Sequence, residues 1–437
     1  MVLVFGIMLS VQTWNRPPPQ VDTAKKDVDV AVKPYLTLRV RDQNGNVREE
    51  YAGPAHSGTV WLARILALHL GAQYLQGAVP YGVRAHATWT WPYTTTATPA
   101  TYTHFGLDNG VSLVGAGAYQ LFTLYVAAGK SSYASFDPTV SFLAPAATYR
   151  FEAAAAAISQ ASNATHAWVM ISSTISVSSP LTVEDVALYL WPNPTGTLQY
   201  TQYCSNQRVS DGSCPKFPAG TAFATLIWWD KVSAITVPAG NSLDVSYVFY
   251  ASFPDGGNLL SIIFGLLHTP RAAENLVIRD VAAASYNNYF PEFGVAYTTV
   301  GPATRHLWPA LKLAWGTGTA ATTGPWSPAN LAARVGDADA TLTVGVDPAS
   351  GAITLTFAGI IYNTGASPLT ITEVAFQLGD PPAGGGVGEL CLRQSGVTAL
   401  LCPNTGKAVL IAYLPVNITI DPGKAVQVVL KVRFSAV

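Results

Sequence analysis

The strongest constraint on this chain is that it contains the same pattern twice. Ser179-Pro180-Leu181-Thr182 recurs as Ser367-Pro368-Leu369-Thr370, an offset of 188 residues, and acidic residues with apolar alternation follow in both, VEDVALYL and TEVAFQL. Downstream, Cys204 and Cys214-Pro215 correspond to Cys391 and Cys402-Pro403. Ile235-Thr236-Val237 through Gly240 then matches Ile418-Thr419-Ile420 through Gly423, each leading into an alternating segment. Upstream the match is weaker: Tyr125 to Gly129 with Asp137-Pro138 aligns with Leu313 to Gly318 with Ser327-Pro328. Each copy also carries one apolar segment of helical length, Thr59–Leu70 and Asn258–His268. This period is far too long for a solenoid, whose repeats run to about 20–50 residues. The pattern therefore predicts two globular units, and 437 residues are enough for both. The expected division is an arm over 1–32, a first domain over 33–253 and a second over 254–437.

Most of each copy reads as strand. LDVSYVFYASF, AITLTFAGIIY and VQVVLKVRF are rich in Val, Ile, Tyr, Phe and Thr with a period of two. Turn pairs such as Asn44-Gly45, Asp211-Gly212 and Pro422-Gly423 separate the strands. The expected fold is mainly β: two tandem duplicated β-sandwich or jelly-roll-like domains, each with a short helix, plus an extended N-terminal strand.

The ends of the copies differ in one informative way. In the first, the helix is preceded by a strand over Tyr35–Arg41; in the second, that place falls to Leu243–Phe253, which the first domain needs as its own last strand. The second domain is thus expected to be one strand short. The chain also has a strand to spare. Met1 to Val11 is apolar and of strand length, too short for a membrane span of about 20 residues, and has neither the basic flank nor the small-residue cleavage site of a signal peptide. Its candidate subunit-linking residues are Val2, Leu3, Val4, Phe5, Ile7, Leu9 and Val11. Pro17-Pro18-Pro19 and the charged VDTAKKDVDVAVK read as a stiff hinge and linker behind it. Donation of residues 2–13 to an unfilled sheet edge of a neighbouring copy is a known mode of recognition. The rival reading of this stretch is an unprocessed signal segment.

The four cysteines fall as C-x9-C and C-x10-C at matched places, which favours Cys204–Cys214 and Cys391–Cys402 over the two other connectivities. Zinc is the rival, but zinc pairs are spaced C-x2-4-C. Asn163-Ala164-Thr165 and Asn417-Ile418-Thr419 are candidate glycosylation sites, and the Ser/Ala/Asn-rich setting of Asn163 makes it the better acceptor. No catalytic residue, metal site or cofactor is expected. Gly129-Lys130-Ser131 lacks the rest of a phosphate loop and reads as a turn, and there is no G-x-S-x-G or H-E-x-x-H. Asp42 to Asn46 and Asp337-Ala338-Asp339 offer oxygens to calcium but read as turns. Among the scattered histidines, His69 and His268 recur near the ends of the matched helices and read as C-terminal caps.

Charge narrows the functional classes. Only 11% of residues are charged and the net charge is −1, so a phosphate backbone finds no electrostatic footprint and nucleic acid is excluded as a partner. Surfaces so poor in charge associate readily.

The order of motifs resembles a diffuse group of virion structural proteins, of tail-fibre or filament kind, from phages and archaeal viruses. The residues that carry it are RDQNGNVREE, GPAHSGTVWLARIL, WGTGTAATTGPWSP, VEDVALYL and TEVAFQL, with an acidic-Val motif ahead of a strand. The chain is similar also to the Thr- and aromatic-rich pilins of hyperthermophilic archaea that are joined by donated strands. The resemblance implies a structural role and no catalytic residues. The expected function is a homopolymer, an extracellular or virion-associated filament. The alternative is a monomeric or closed-oligomer adhesin that binds a host receptor or glycan through surface rings such as Trp89, Trp91 and Tyr93.

Overall fold

A computed structural model describes residues 23–55, 58–70, 72–75, 88–90, 101–103, 122–140, 143–192, 225–268, 274–292, 295–297, 305–307, 310–379, 391–394, 400–401 and 408–435. Among the described residues the chain is mainly β, with two short helices and a large curled sheet. The principal strands are β1 (Thr23–Arg41), β2 (Val47–Pro54), β3 (Phe122–Gly129), β4 (Phe151–Ala155), β5 (Ala157–Ser162), β6 (Ala167–Ser176), β7 (Leu181–Pro192), β8 (Thr225–Val237) and β9 (Ser242–Ala251). They continue as β10 (Leu311–Gly316), β11 (Arg334–Val346), β12 (Ile353–Tyr362), β13 (Leu369–Leu378), β14 (Val409–Ile420) and β15 (Ala425–Phe434). The helices are α1 (Val60–His69) and α2 (Gly256–Leu267).

The strands form where alternation puts one face in the core. In β9, Leu243, Val245, Tyr247, Phe249 and Ala251 are buried, and in β12 Ile353, Leu355, Phe357 and Ile361 are. Between β1 and β2, Asp42 Oδ1 accepts from the Asn44 and Asn46 N–H groups, and Gly45 takes the φ of +84° that the turn demands. The Pro422-Gly423 turn leads into β15 in the same way, Gly423 lying at φ +71°. These turns and the three long strands fall where the pattern predicts.

The large sheet runs β14-β13-β10-β11-β12-β15-β1-β9-β6-β5, with β2 on β1 and the short Gln73–Tyr74 on β11. A second sheet runs β8-β7-β3-β4. β11 turns a corner by itself: Arg334–Asp339 pairs with β10 and Ala340–Val346 with β12. In the first half the same corner is split between β4 and β5, and Ala156 between them donates its N–H to the Leu124 carbonyl at 2.8 Å. The faces meet through large side chains. The rings of Trp228 and Phe249 lie 5.1 Å apart, those of Phe357 and Phe376 5.6 Å apart, and Tyr247 Oη donates to the Val186 carbonyl.

One contiguous apolar cluster runs through both halves. α1 enters it with Thr59 Oγ1 accepting from the Leu62 N–H, an N-cap contact. Every residue of α2 is buried, as a helix apolar on nearly every side requires.

Three expectations change. Asp337-Ala338-Asp339 is not a turn: it lies within β11, where Asp337 pairs with Arg334 and Asp339 with Lys312. The acidic-Val motifs do not precede strands but lie inside β7 and β13. The charged linker before Tyr35 is strand from Thr23 onward, because a neighbouring edge supplies the hydrogen bonds that its sequence alone did not suggest.

Candidate functional site

β1 is the element that does two jobs. From Val32 to Arg41 it pairs antiparallel with β9, and from Tyr35 onward its other side is taken by β2. From Thr23 to Val32 it pairs with β15 instead, in parallel, Thr23 opposite Ala425 and Val32 opposite Phe434. At Val32 the two pairings overlap, so this residue stands between Phe434 and Ala251. The β15 edge is thus filled by the chain's own N-terminal segment, Thr23–Val32.

The two parts of β1 are held unequally. The later part buries Leu36, Leu38 and Val40 completely and has a strand on each side. The earlier part seats Val32 fully and Val28 and Val30 only in part, while Lys25, Lys26, Asp27 and Asp29 are exposed. Among the described residues, no strand pairs with its other side. Charges of this kind on an open edge oppose indiscriminate pairing. Their ion pairs, Lys25–Asp27 at 2.9 Å and Arg433–Asp29 at 3.4 Å, are about half exposed, and pairs of that sort contribute about 0–1 kcal/mol.

Two buried carboxylates missed as such in the sequence hold the loops above the sheets. Asp185 is fully buried in β7 and accepts from the Ser131 N–H at 2.6 Å, Trp229 Nε1 at 2.9 Å and Lys231 Nζ at 2.8 Å. Glu373, 188 residues later in β13, is also fully buried and accepts from the N–H groups of Ala320, Ala332 and Ala333 and from Tyr413 Oη. Each thus pins the loop that follows β3 or β10 over a patch of apolar side chains, around Tyr189 and Trp229 in one case and Leu331 and Tyr413 in the other. Such a donor set offsets the cost of burying an ionised carboxylate. Gly129 and Gly316 end β3 and β10 for a shared reason: a Cβ on Gly129 would lie 2.3 Å from the Arg150 carbonyl oxygen, and one on Gly316 2.5 Å from that of Ala333.

α2 carries the polar groups that join the halves. His268 is fully buried; its Nδ1 accepts from the Leu124 N–H, so Nε2 carries the proton it gives to Glu274 at 3.0 Å. Its backbone N–H donates to the Phe264 carbonyl at the end of α2, but the ring, read from the sequence as a C-terminal cap, bonds Leu124 and Glu274 instead. Gln160 of β5 accepts from Ser261 and from the Val277 N–H, while Asn258 donates to the carbonyls of Arg279 and Leu410. At the helix N-terminus, both carboxylate oxygens of the fully buried Asp255 lack a hydrogen-bond partner. Burial pushes this carboxyl well above the usual range, against the pull of Arg279.

Of the predicted site residues, Val2, Leu3, Val4, Phe5, Ile7, Leu9 and Val11 lie outside the described residues, as do Cys204, Cys214, Cys402, Trp91 and Tyr93. Cys391 opens a short strand, Cys391–Gln394, and Trp89 lies in another, Thr88–Thr90. Asn163 is exposed in the β5–β6 turn, its Oδ1 accepting from the N–H groups of Thr165 and His166; Asn417 is exposed along β14. Lys130 and Ser131 lie in a loop with no helix behind it. Among the described residues, no group of three His, Cys, Asp or Glu is placed to hold a metal, and no helix is long and apolar enough to cross a membrane. No family model matches the chain, and neither a curated protein nor a solved structure does.

Proposed function

We propose that this chain is a structural subunit, two tandem copies of one β-sandwich domain, that self-assembles outside the cell into a filament through its N-terminal arm. The observation that carries this reading is the β15 edge, which takes its strand from the far end of the chain rather than from the second half itself. A unit that must borrow its edge strand can borrow it from another copy. Support for the duplication comes from the strand order: β8-β7-β3-β4 with β5-β6-β9-β1 in one half, β14-β13-β10-β11 with β11-β12-β15-β1 in the other. The paired carboxylates Asp185 and Glu373 and the paired glycines Gly129 and Gly316 keep the same order.

In this reading, residues 2–13 belong to the exchanged arm, and the low charge eases close contact between subunits, since fewer ions lose water. The setting is an extracellular or virion-associated filament of a hyperthermophilic archaeal system, with Cys204–Cys214 and Cys391–Cys402 as disulfides suited to it. Sedimentation velocity over a hundredfold range of protein concentration tests the proposal. Species that grow without limit as concentration rises support it, and a single monomeric or closed species at all concentrations rejects it.

A second reading, an adhesin that binds glycans, is favoured by one patch. Tyr35, 46% exposed, meets Tyr250 edge-on at 5.8 Å, and Tyr250 lies 5.7 Å from Trp168, a stripe of rings across β1, β9 and β6. Binding of oligosaccharides by an unassembled chain, abolished by Tyr35→Ala, would decide for it.

A further inference from the structure

We infer that the exchanged element is Thr23–Val32 itself: the β15 edge of one copy receives this segment from a second copy in the same parallel register that it adopts within one chain. The inference rests on the self-assembly reading and names its acceptor. Every contact it needs is present within the single chain, from Thr23 against Ala425 to Val32 against Phe434, so the exchange creates no new surface and loses none. That is why swapping an identical element is a low-cost route to assembly.

Three features say that the arm can leave. Among the described residues its strand is held from one side only, with three inward valines and an otherwise mostly charged, exposed run. Its release does not disturb the rest of β1, because Leu36, Leu38 and Val40 stay fixed between β9 and β2. The boundary between the weakly and firmly held parts falls at Val32-Lys33-Pro34, and Pro34, opposite Phe249, has no N–H to give to the ladder. Departure of one arm uncovers the β15 edge for the next copy. The donor and acceptor surfaces are different, so the contact is heterologous and repeats without closing unless a rotation returns it to the start.

Cysteine pairing tests the exchange on the full-length chain. Asp29 and Lys431 face each other in the register and both reach solvent. Neighbouring strands lie about 4.7–4.9 Å apart, within the span that a disulfide bridges. Asp29→Cys chains are mixed with Lys431→Cys chains, so that a 29–431 link can form only between copies. After mild oxidation, the expected result is a species of doubled mass on a non-reducing gel, with the linked peptides identified by mass spectrometry. Either variant alone, or Asp29→Cys mixed with Thr341→Cys on the exposed flank of β11, gives no such linked peptide. The double variant Asp29→Cys/Lys431→Cys, oxidised when dilute, locks the arm within its own chain and should lose assembly, which reduction restores. Filaments in electron micrographs of the mixture without a 29–431 link between copies overturn this inference and leave the self-assembly reading standing. Linked dimers without filaments support the exchange and overturn the filament. Neither links nor filaments overturn both.

Discussion

Replacing Asp255 by Asn should make the chain more stable at neutral pH and leave it unchanged in acid. Asp255 caps α2 from a left-handed conformation, φ +61° and ψ 9°, with no side-chain cap hydrogen bond, no exposed surface and no partner for either oxygen. A negative charge at a helix N-terminus gains about 0.3–1 kcal/mol, at most about 2. Leaving a buried polar group unsatisfied costs about 1–3 kcal/mol, and more when it is charged. Desolvation therefore wins, and the carboxyl is held above its usual range in spite of Arg279. A group whose folded pKa is raised contributes its full share of stability below its unfolded pKa, about 3.9. That share is lost as pH rises from there through the folded value. Asparagine keeps the size, tolerates the left-handed backbone and cannot ionise. Urea unfolding at pH 7 should show Asp255→Asn stabilised by about 1–3 kcal/mol, with the two chains indistinguishable at pH 3. Equal stability at pH 7, or a gain that is the same at both pH values, would refute the account of this residue.

Other consequences are as direct. Asp185→Ala leaves the Trp229 indole N–H, the Ser131 N–H and the Lys231 ammonium without their acceptor, and removal of one partner of a buried pair costs about 3–5 kcal/mol; denaturant midpoints and faster proteolysis in residues 130–150 will report it. Gly316→Ala drives a Cβ to 2.4 Å from Glu373 Oε1 and 2.5 Å from the Ala333 carbonyl oxygen, so it should destabilise by about 1–3 kcal/mol as overpacking does, whereas Ala at Gly324, with open space around it, should not. Asp29→Asn breaks only an exposed pair with Arg433 and should change stability by no more than about 0.5 kcal/mol, which thermal melts can check.

Strands, turns and both helices could be read from the chain because each depends on local periodicity or on a residue with special backbone freedom. Ile353 to Tyr362 alternates, Asn44-Gly45 turns, and Asn258 to Leu267 is apolar apart from Asn258 and Ser261. The repeat raised the expectation that the second half ran one strand short; it did not name β15 as an open place. It did not show that Thr23–Val32 fills that place, because Lys25, Lys26, Asp27 and Asp29 look like linker until β15 lies beside them. Asp185 and Glu373 were visible as a repeated acidic position, but their burial depends on N–H groups from loops 40 to 54 residues away. Asp337 and Asp339 were misplaced because Gly336 suggested a turn; it lies instead in β11 opposite Trp315, whose indole a Cβ would meet at 2.7 Å.

The central claim is that subunits join through the N-terminal arm, and negative-stain electron microscopy of the intact chain beside one lacking residues 1–32 tests it most directly. The truncation removes the exchanged Thr23–Val32 and leaves Leu36, Leu38 and Val40 between β9 and β2. Filaments from the intact chain, and dispersed particles or short oligomers from the truncated one, are the predicted result. Filaments of the same length and abundance from both, or dispersed particles from both, would contradict it.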